Sequence, residues 1–153
     1  MTAEERIKEL GIVIPAPPTP AGLYLPCVQT GNLLFIAGQL PMANGTLQAT
    51  GKVGRDLTAE QAKPLARQCA LNALAIARGH LGTLDRVVKS VRVCGFVASA
   101  EGFVDHPAVV NGASQLLIDV FGETAGRHAR VASGAAELPL GAPVEVEFLF
   151  EVL

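Results

Sequence analysis

The apolar residues that follow Thr58 recur with a helical period, and most of them are alanine. Thr58 and Gln61 have the spacing of a capping box, which predicts that a helix begins there. Gly79 or Gly82 is predicted to end it. The apolar stripe covers positions 62, 65, 66, 69, 70, 73, 76 and 77. Because alanine side chains are small, this helix can lie close on a sheet, and a layered fold is favoured.

Strand and turn signals lie on both sides of this helix. Further helices are predicted over Ala3–Leu10 and from Pro107 to Phe121. Turns are predicted at 30–32 and 44–45, and residues 15–22, PAPPTPAG, can only form an extended connector. Alternating residues predict strands over 24–29, 33–39, 87–99, 129–135 and 144–152. The order α-ββ-α-β-α-ββ predicts an α/β fold, in which a mixed sheet carries two main helices on one face and an additional N-terminal helix.

Length and charge limit the classes of protein to which the chain can belong. Its 153 residues suit a single domain, 1–153. Only 17% of them are charged, against about 25% in typical soluble domains, so some surface is expected to be buried against copies of the chain. The net charge of −2 argues against nucleic acid as a partner, and no apolar run is long enough to predict a membrane span. Three cysteines without a CxxC pair favour reduced thiols and a cytoplasmic location.

The segment 127–147 carries the clearest candidate chemistry. Arg127, His128 and Arg130 precede the turn-rich stretch LPLGAP, and Glu145 and Glu147 follow on one face of the last predicted strand. The planar fork of an arginine can hold a small carboxylate, and a glutamate can orient a water molecule. The residues alone favour a simpler interpretation, a cross-strand ion pair of Arg130 with one of the two glutamates. Such a pair is worth less than about 1 kcal/mol where it is exposed.

Other reactive residues have simpler interpretations. His80, His106 and His128 are scattered without ligand spacing, so no metal site is predicted. His106 is expected to begin a helix, and His80 lies near a helix C-terminus. Cys69 falls on the apolar stripe and is expected in the core. No phosphate-binding loop, nucleophile elbow or dinucleotide fingerprint occurs, so no cofactor is predicted.

Three longer segments carry a pattern through most of the chain after Gly22. They are TGNLLFIAGQLP, HPAVVNGASQLLIDVFG and ARVASGAAELPLGAPVEVE. In this order and spacing they resemble the Rid (YjgF) family, also called the endoribonuclease L-PSP family. The resemblance implies a chorismate-mutase-like α/β fold, a homotrimer and sites in the clefts between subunits. It also implies hydrolysis of reactive enamines and imines, such as 2-aminoacrylate, to 2-keto acids and ammonia, with no cofactor or metal.

The same resemblance implies roles for five residues. Arg130 falls on the arginine that binds the substrate carboxylate, and Glu145 on the glutamate that assists a water molecule. Tyr24 falls on a tyrosine that packs over the ligand from the adjacent subunit, and Gly38 and Asn111 fall on positions that line the site. The residues alone also allow simpler interpretations, in which Tyr24 is a half-buried strand aromatic and Asn111 is a surface residue near a helix start.

The chain also departs from the family pattern. Ala132 stands where many members carry a cysteine, and Ala37, Ser133 and Gly134 replace other family residues. These changes predict a pocket that is wider or shaped for another ligand. The N-terminal helix and the connector, residues 1–22, lie outside the resemblance and indicate a longer branch, so removal of the first 14 residues is expected to leave the trimer folded.

Three other functions remain open on the sequence. A non-catalytic binder of small carboxylates or ketoacids would use the same arginine. Ribonuclease activity is disfavoured because the chain is acidic and has no basic surface interleaved with aromatic residues. Chorismate mutase chemistry is suggested by the fold alone, which is a weak basis for assigning function.

Overall fold

Three α-helices and seven strands make up the computed structural model, which describes residues 1–153. The helices are α1 (Ala3–Leu10), α2 (Ala59–Leu81) and α3 (His106–Gly126). The strands are β1 (Cys27–Thr30), β2 (Leu33–Gln39), β3 (Met42–Ala43), β4 (Thr46–Leu47), β5 (Val87–Ala98), β6 (Ala129–Ala135) and β7 (Val144–Val152). None of the helices combines the length and the apolar composition that crossing a bilayer requires.

Five of the strands form one mixed sheet in the order β1-β2-β7-β5-β6. The β5–β6 pair is parallel and is connected through α3, whereas the other neighbouring pairs are antiparallel. Strands β3 and β4 form a separate hairpin, whose turn residues Asn44 and Gly45 both have positive φ. This arrangement confirms the predicted mixed α/β fold.

Helices α2 and α3 cover one face of the sheet and lie against each other. Alternate residues of the central strand β7 point into the core on this face; they are Val144, Val146, Phe148, Phe150 and Val152. The two helices approach closely at Gly112, where a Cβ atom would lie 2.0 Å from the carbonyl oxygen of Lys63. Small residues therefore set the spacing of the helix layer, as the alanine-rich stripe of α2 predicts.

Local signals placed most helix ends correctly. Thr58 and Gln61 form the predicted capping box of α2, and Gly82 ends that helix in a left-handed conformation. In α3, Gly122 leaves helical geometry at φ 85°, close to the predicted end, although one more turn follows it. The first strand begins at Cys27 and not at Tyr24 as predicted, because Pro26 has no N–H to donate to the ladder.

The N-terminal helix belongs to the core, contrary to the expectation that it is dispensable. Ala3 and Ile7 are buried in the main hydrophobic cluster. The carboxylate of Glu4 accepts hydrogen bonds from Nε of Arg78 and from the backbone N–H of Leu84, both at 3.0 Å. Loss of the first 14 residues would remove these contacts and expose apolar surface, so it is now expected to destabilise the fold.

Candidate functional site

Arg130 does not form the ion pair that the residues alone had favoured. Its strand β6 pairs only with β5, which separates it from the glutamates of β7. Arg130 lies beside Val93 of β5, and Val93 lies beside Phe148 of β7. None of the salt bridges in the chain involves Arg130. The prediction of a cross-strand partner in Glu145 or Glu147 is therefore wrong. Strand β5 lies between β6 and β7, and this order depends on contacts between residues distant in sequence.

The guanidinium of Arg130 is held by neutral groups on helix α3. Its Nη1 donates to Oδ1 of Asn111 at 2.7 Å and to Oγ of Ser114 at 3.2 Å. Asn111 and Ser114 are three residues apart and so lie on the same side of the helix. No acceptor within the chain bonds to Nε or Nη2 of Arg130. This edge of the guanidinium has the geometry that pairs with a carboxylate through two parallel hydrogen bonds.

Arg130 lines an open cleft of about 470 Å³ between helices α2 and α3 and strand β6. We call it the basic cleft; the residues that matter for its chemistry are Lys63, Asn111, Ser114, Arg127, His128 and Arg130. It has no carboxylate in its lining. A small anion therefore meets positive and neutral donor groups here without an acidic competitor.

His128 is the third polar residue in contact with this cluster. Its Nδ1 lies 2.7 Å from the carbonyl oxygen of Gly126, and its Nε2 lies 2.9 Å from Oγ of Ser114. Burial lowers the pKa of His128, and the positive charges of Arg130, Lys89 and Arg127 lower it further, against the opposing effect of the Gly126 hydrogen bond. The imidazole is therefore neutral at pH 7.

Glu145 lies with Gly38 in a different part of the sheet. Strand β2 has an irregularity between Ile36 and Gln39, and Gly38 lies within it. A Cβ atom on Gly38 would lie 2.8 Å from Oε2 of Glu145, so the carboxylate lies in space that the side chain of a larger residue would enter. Burial raises the pKa of Glu145, and the neighbouring charge of Glu147 adds to the rise. Glu145 is thus a better proton acceptor than an ordinary surface glutamate.

Tyr24 lies at the proline-rich connector, close to Gly38. Both residues line a small cavity of about 90 Å³, together with Pro18, Thr19 and Pro20 of the connector. The hydroxyl oxygen of Tyr24 accepts a hydrogen bond of 3.3 Å from the backbone N–H of Ala21. Half of the tyrosine surface is exposed, so the ring has an open face for contact with another molecule.

The predicted site residues therefore form two groups within one chain. Arg130 and Asn111 are in direct contact, and Gly38 lies beside both Glu145 and Tyr24. The strand register places Arg130 level with Phe148, three residues from Glu145 along β7 and on the opposite face of the sheet. Along the strand alone this offset is roughly 10 Å. A single chain does not bring the arginine and the glutamate together.

Ser114, His128 and Lys63 line the cleft, although none of them was predicted as a site residue. The spacing of Asn111 and Ser114 on the predicted helix α3 was an available signal, as was the position of His128 two residues before Arg130, just ahead of strand β6. Lys63 belongs to another helix, and no local pattern connects it to the arginine. The closeness of α2 and α3 at Gly112 brings it to the cleft.

Neither thiols nor a metal provide an obvious alternative centre. Cys69 is buried in the core as expected, and burial raises the pKa of Cys27, Cys69 and Cys94 alike. Raised thiol pKa values disfavour the thiolate that nucleophilic catalysis requires. No group of three or more His, Cys, Asp or Glu residues is placed to hold a metal ion. His106 begins α3 as predicted and contacts Oγ of Ser99 at 3.0 Å.

Several known proteins resemble the chain over nearly its whole length. It is 43% identical over 146 residues to protein TCP17 of Trypanosoma cruzi, which covers 95% of this chain and 91% of that protein. The crystal structure of Atu1372 from Agrobacterium tumefaciens, a protein of unknown function, matches with a TM-score of 0.90 and 43% identity over 99% of this chain and 92% of that one. RidA from the Antarctic bacterium Psychrobacter sp. PAMC 21119 matches with a TM-score of 0.58 and 26% identity, covering 92% and 96% of the two chains.

A family model with the description "YjgF/chorismate_mutase-like, putative endoribonuclease" matches residues 4–153. The match includes helix α1, so the N-terminal helix is part of the family's pattern and not an addition to it. The length of the match, the fold and the three sequence segments all indicate the same family. The chain therefore belongs to the YjgF/chorismate-mutase-like family, and the resemblance to the Rid (YjgF) proteins is confirmed.

Proposed function

We propose that the protein hydrolyses small reactive enamines and imines of the 2-imino acid type to 2-keto acids and ammonia. One observation carries the proposal. The Arg130 guanidinium is fixed by Asn111 and Ser114, its Nε and Nη2 edge has no acceptor in the chain, and the cleft around it has no carboxylate. A substrate carboxylate would complete this arrangement through a two-point contact.

The chemistry needs little from the protein beyond placement. The carbon of a protonated imine is electrophilic, so water attacks it once the substrate is fixed. A carbon–oxygen bond forms while the water gives up a proton to the base. The same proton then passes to the nitrogen, the carbon–nitrogen bond breaks to release ammonia, and loss of the hydroxyl proton leaves the keto acid. Glu145 is suited to accept the proton of the attacking water, because its raised pKa makes the carboxylate more basic. Arg130 holds the carboxylate throughout.

The distance between Arg130 and Glu145 within one chain leads us to propose a homotrimer with its sites between subunits. In such an assembly Arg130 and Asn111 come from one copy, and Tyr24, Gly38 and Glu145 come from its neighbour. The sheet face away from the helices supports association, since it exposes the apolar residues Val28, Phe35 and Val131 to solvent by 40% or more. Strand β6, which carries Arg130, is also an edge strand with an unpaired side.

The separation of Arg130 and Glu145 also favours a second candidate, a non-catalytic binder of small carboxylates or ketoacids. The arginine and its two partners suffice to bind a carboxylate, whereas hydrolysis requires a proton acceptor within reach of the attacking water. Both candidate functions therefore require Arg130 for carboxylate binding, and only the hydrolase turns over an imine.

Turnover of imines generated in place tests the proposal. An amino-acid oxidase produces 2-imino acids from a panel of amino acids, and semicarbazide traps those that escape hydrolysis as semicarbazones. The wild-type protein is expected to suppress semicarbazone formation, and Arg130→Ala is expected to lose the effect. Light scattering coupled to size exclusion is expected to give about three chain masses for both. Carboxylate binding without suppression for any imine would establish the binder and overturn the hydrolase.

A further inference from the structure

We propose that Ser114 and His128 are positioning residues of the Arg130 site, and that His128 takes up a proton when a carboxylate binds in the basic cleft. The inference rests on the carboxylate-binding role proposed for Arg130 and extends it to one residue on α3 and one in the segment just before β6. Neither residue was predicted from the sequence to belong to the site. Their contacts form one continuous chain that ends at the guanidinium.

The carbonyl of Gly126 fixes the direction of this hydrogen-bond chain. A carbonyl oxygen only accepts, so Nδ1 of His128 carries a hydrogen and donates to it across 2.7 Å. In the neutral imidazole Nε2 is then an acceptor, and the hydroxyl of Ser114 donates to it across 2.9 Å. The remaining lone pairs of the Ser114 oxygen accept from Nη1 of Arg130 at 3.2 Å. Each hydrogen in this series of hydrogen bonds therefore has an acceptor.

This series of hydrogen bonds determines the orientation of the Arg130 guanidinium toward a ligand. Nη1 has two hydrogens, and Asn111 and Ser114 accept from it. The guanidinium is planar, so fixing Nη1 at two points fixes the plane that Nε and Nη2 share. If Ser114 lacked its hydroxyl, one of these two points would be lost and the fork would turn more freely. His128 acts one step further away, by holding the Ser114 hydroxyl in the orientation that leaves its lone pairs for Arg130.

The charges around His128 explain why proton uptake should accompany anion binding. Lys89 faces it from β5, Arg127 precedes it in the chain and Arg130 follows it on β6. Lys63 lies across the cleft on α2. The carboxylate of Glu123 on α3 is paired with Arg127. In the free protein the imidazole therefore has positive neighbours and stays neutral. A bound carboxylate adds a negative charge near the imidazole of His128 and so favours its protonated form.

Protonation of His128 would also strengthen the binding of the carboxylate. With a proton on Nε2, His128 becomes a donor to the Ser114 oxygen, which has lone pairs for both Nε2 and Nη1 of Arg130. The Ser114 hydroxyl hydrogen is then released from the imidazole and can turn toward a carboxylate in the cleft. One proton moves from solvent to His128, and no bond within the ligand changes.

Titration calorimetry with pyruvate, an unreactive 2-keto acid, tests this inference on the full chain. Measurements at pH 6 to 6.5 in two cationic buffers of different ionisation enthalpy give the number of protons taken up per site. The wild-type protein is expected to take up a measurable fraction of a proton. By linkage, its affinity is expected to rise by roughly threefold or more between pH 7.5 and pH 6.

Four variants separate the roles of the two residues. Glutamine in His128→Gln offers an acceptor near the position of Nε2 but does not titrate. The variant should therefore bind pyruvate at pH 7.5 within about threefold of the wild type, which is less than the 1.4 kcal/mol that a tenfold change would represent. It should show no proton uptake. Ser114→Ala should bind weakly at every pH, and Ser114→Thr should restore binding because it keeps the hydroxyl. His80→Gln, at a histidine outside the cleft, should behave like the wild type.

The outcomes distinguish this inference from the proposed function. Pyruvate binding that Arg130→Ala abolishes, but that takes up no proton in the wild type, would overturn the role of His128 alone. Unchanged uptake in His128→Gln would overturn it as well. Unchanged affinity in Ser114→Ala would overturn the positioning role of the serine. Absence of pyruvate binding in the wild type would overturn the proposed function and this inference together, whereas uptake without imine turnover would support the inference and the binder.

Discussion

The close approach of α2 and α3 predicts that Gly112→Ala destabilises the protein, although alanine normally favours a helix. A Cβ atom at Gly112 would lie 2.0 Å from the carbonyl oxygen of Lys63, against 3.4 Å or more in ordinary contact. The helices must separate by more than an ångström, and overpacking of this kind costs about 1–3 kcal/mol or more. Alanine returns up to about 1 kcal/mol of helix propensity, so a net loss of about 1–2 kcal/mol is expected.

Gly79→Ala provides the matched control. It makes the same change on α2, where the new Cβ would lie 3.7 Å from Cγ of Pro17, an ordinary contact. It is expected to raise stability by up to about 1 kcal/mol. Thermal melting at one protein concentration measures both variants, and about 2–4 °C per kcal/mol is expected for a chain of this size. A Gly112→Ala protein as stable as Gly79→Ala would refute the close packing that places Lys63 and Asn111 around one cleft.

Three further predictions concern charge and the N-terminus. Glu145→Gln should raise the melting temperature at pH 7.5, because the raised pKa means that folding disfavours the charged carboxylate; the gain should vanish as the pH falls below about 4.5, the ordinary glutamate value. The wild type should lose stability as the pH falls from about 6.5, the ordinary histidine value, through the lowered folded-state pKa of His128, and the melting curve of His128→Gln should depend less on pH in that range. Deletion of residues 1–14 should lower the melting temperature by several degrees, since it removes Ile7 from the core; an unchanged value would mean that α1 contributes nothing to the fold.

The parts of the fold that depend on neighbours in sequence were predictable. The capping boxes at Thr2 and Thr58 act within one turn, and the predicted bounds of β2, β6 and β7 agree with the structure. The insertion of β5 between β6 and β7 depends on contacts distant in sequence, and it invalidated the ion pair of Arg130 with β7.

The candidate site divides in the same way. The resemblance to the family identified Arg130 and Asn111, and the structure brings them to 2.7 Å. The spacing of His128 and Arg130 was a local signal, but the hydrogen bonds that connect them pass through Ser114 on another element, which no local pattern predicts. Nor could it reveal that Arg130 and Glu145 lie on opposite faces of the sheet, since this depends on the register across three strands.

The rate of 2-aminoacrylate hydrolysis by Arg130→Lys tests the central claim most directly. Lysine keeps the positive charge but cannot make the planar two-point contact, so a loss of at least about 3 kcal/mol of transition-state stabilisation, roughly a hundredfold in rate, is expected. The variant should still melt within a few degrees of the wild type, since the Arg130 side chain makes hydrogen bonds only to Asn111 and Ser114. A rate within about threefold of the wild type, less than 1 kcal/mol, would contradict carboxylate recognition by Arg130.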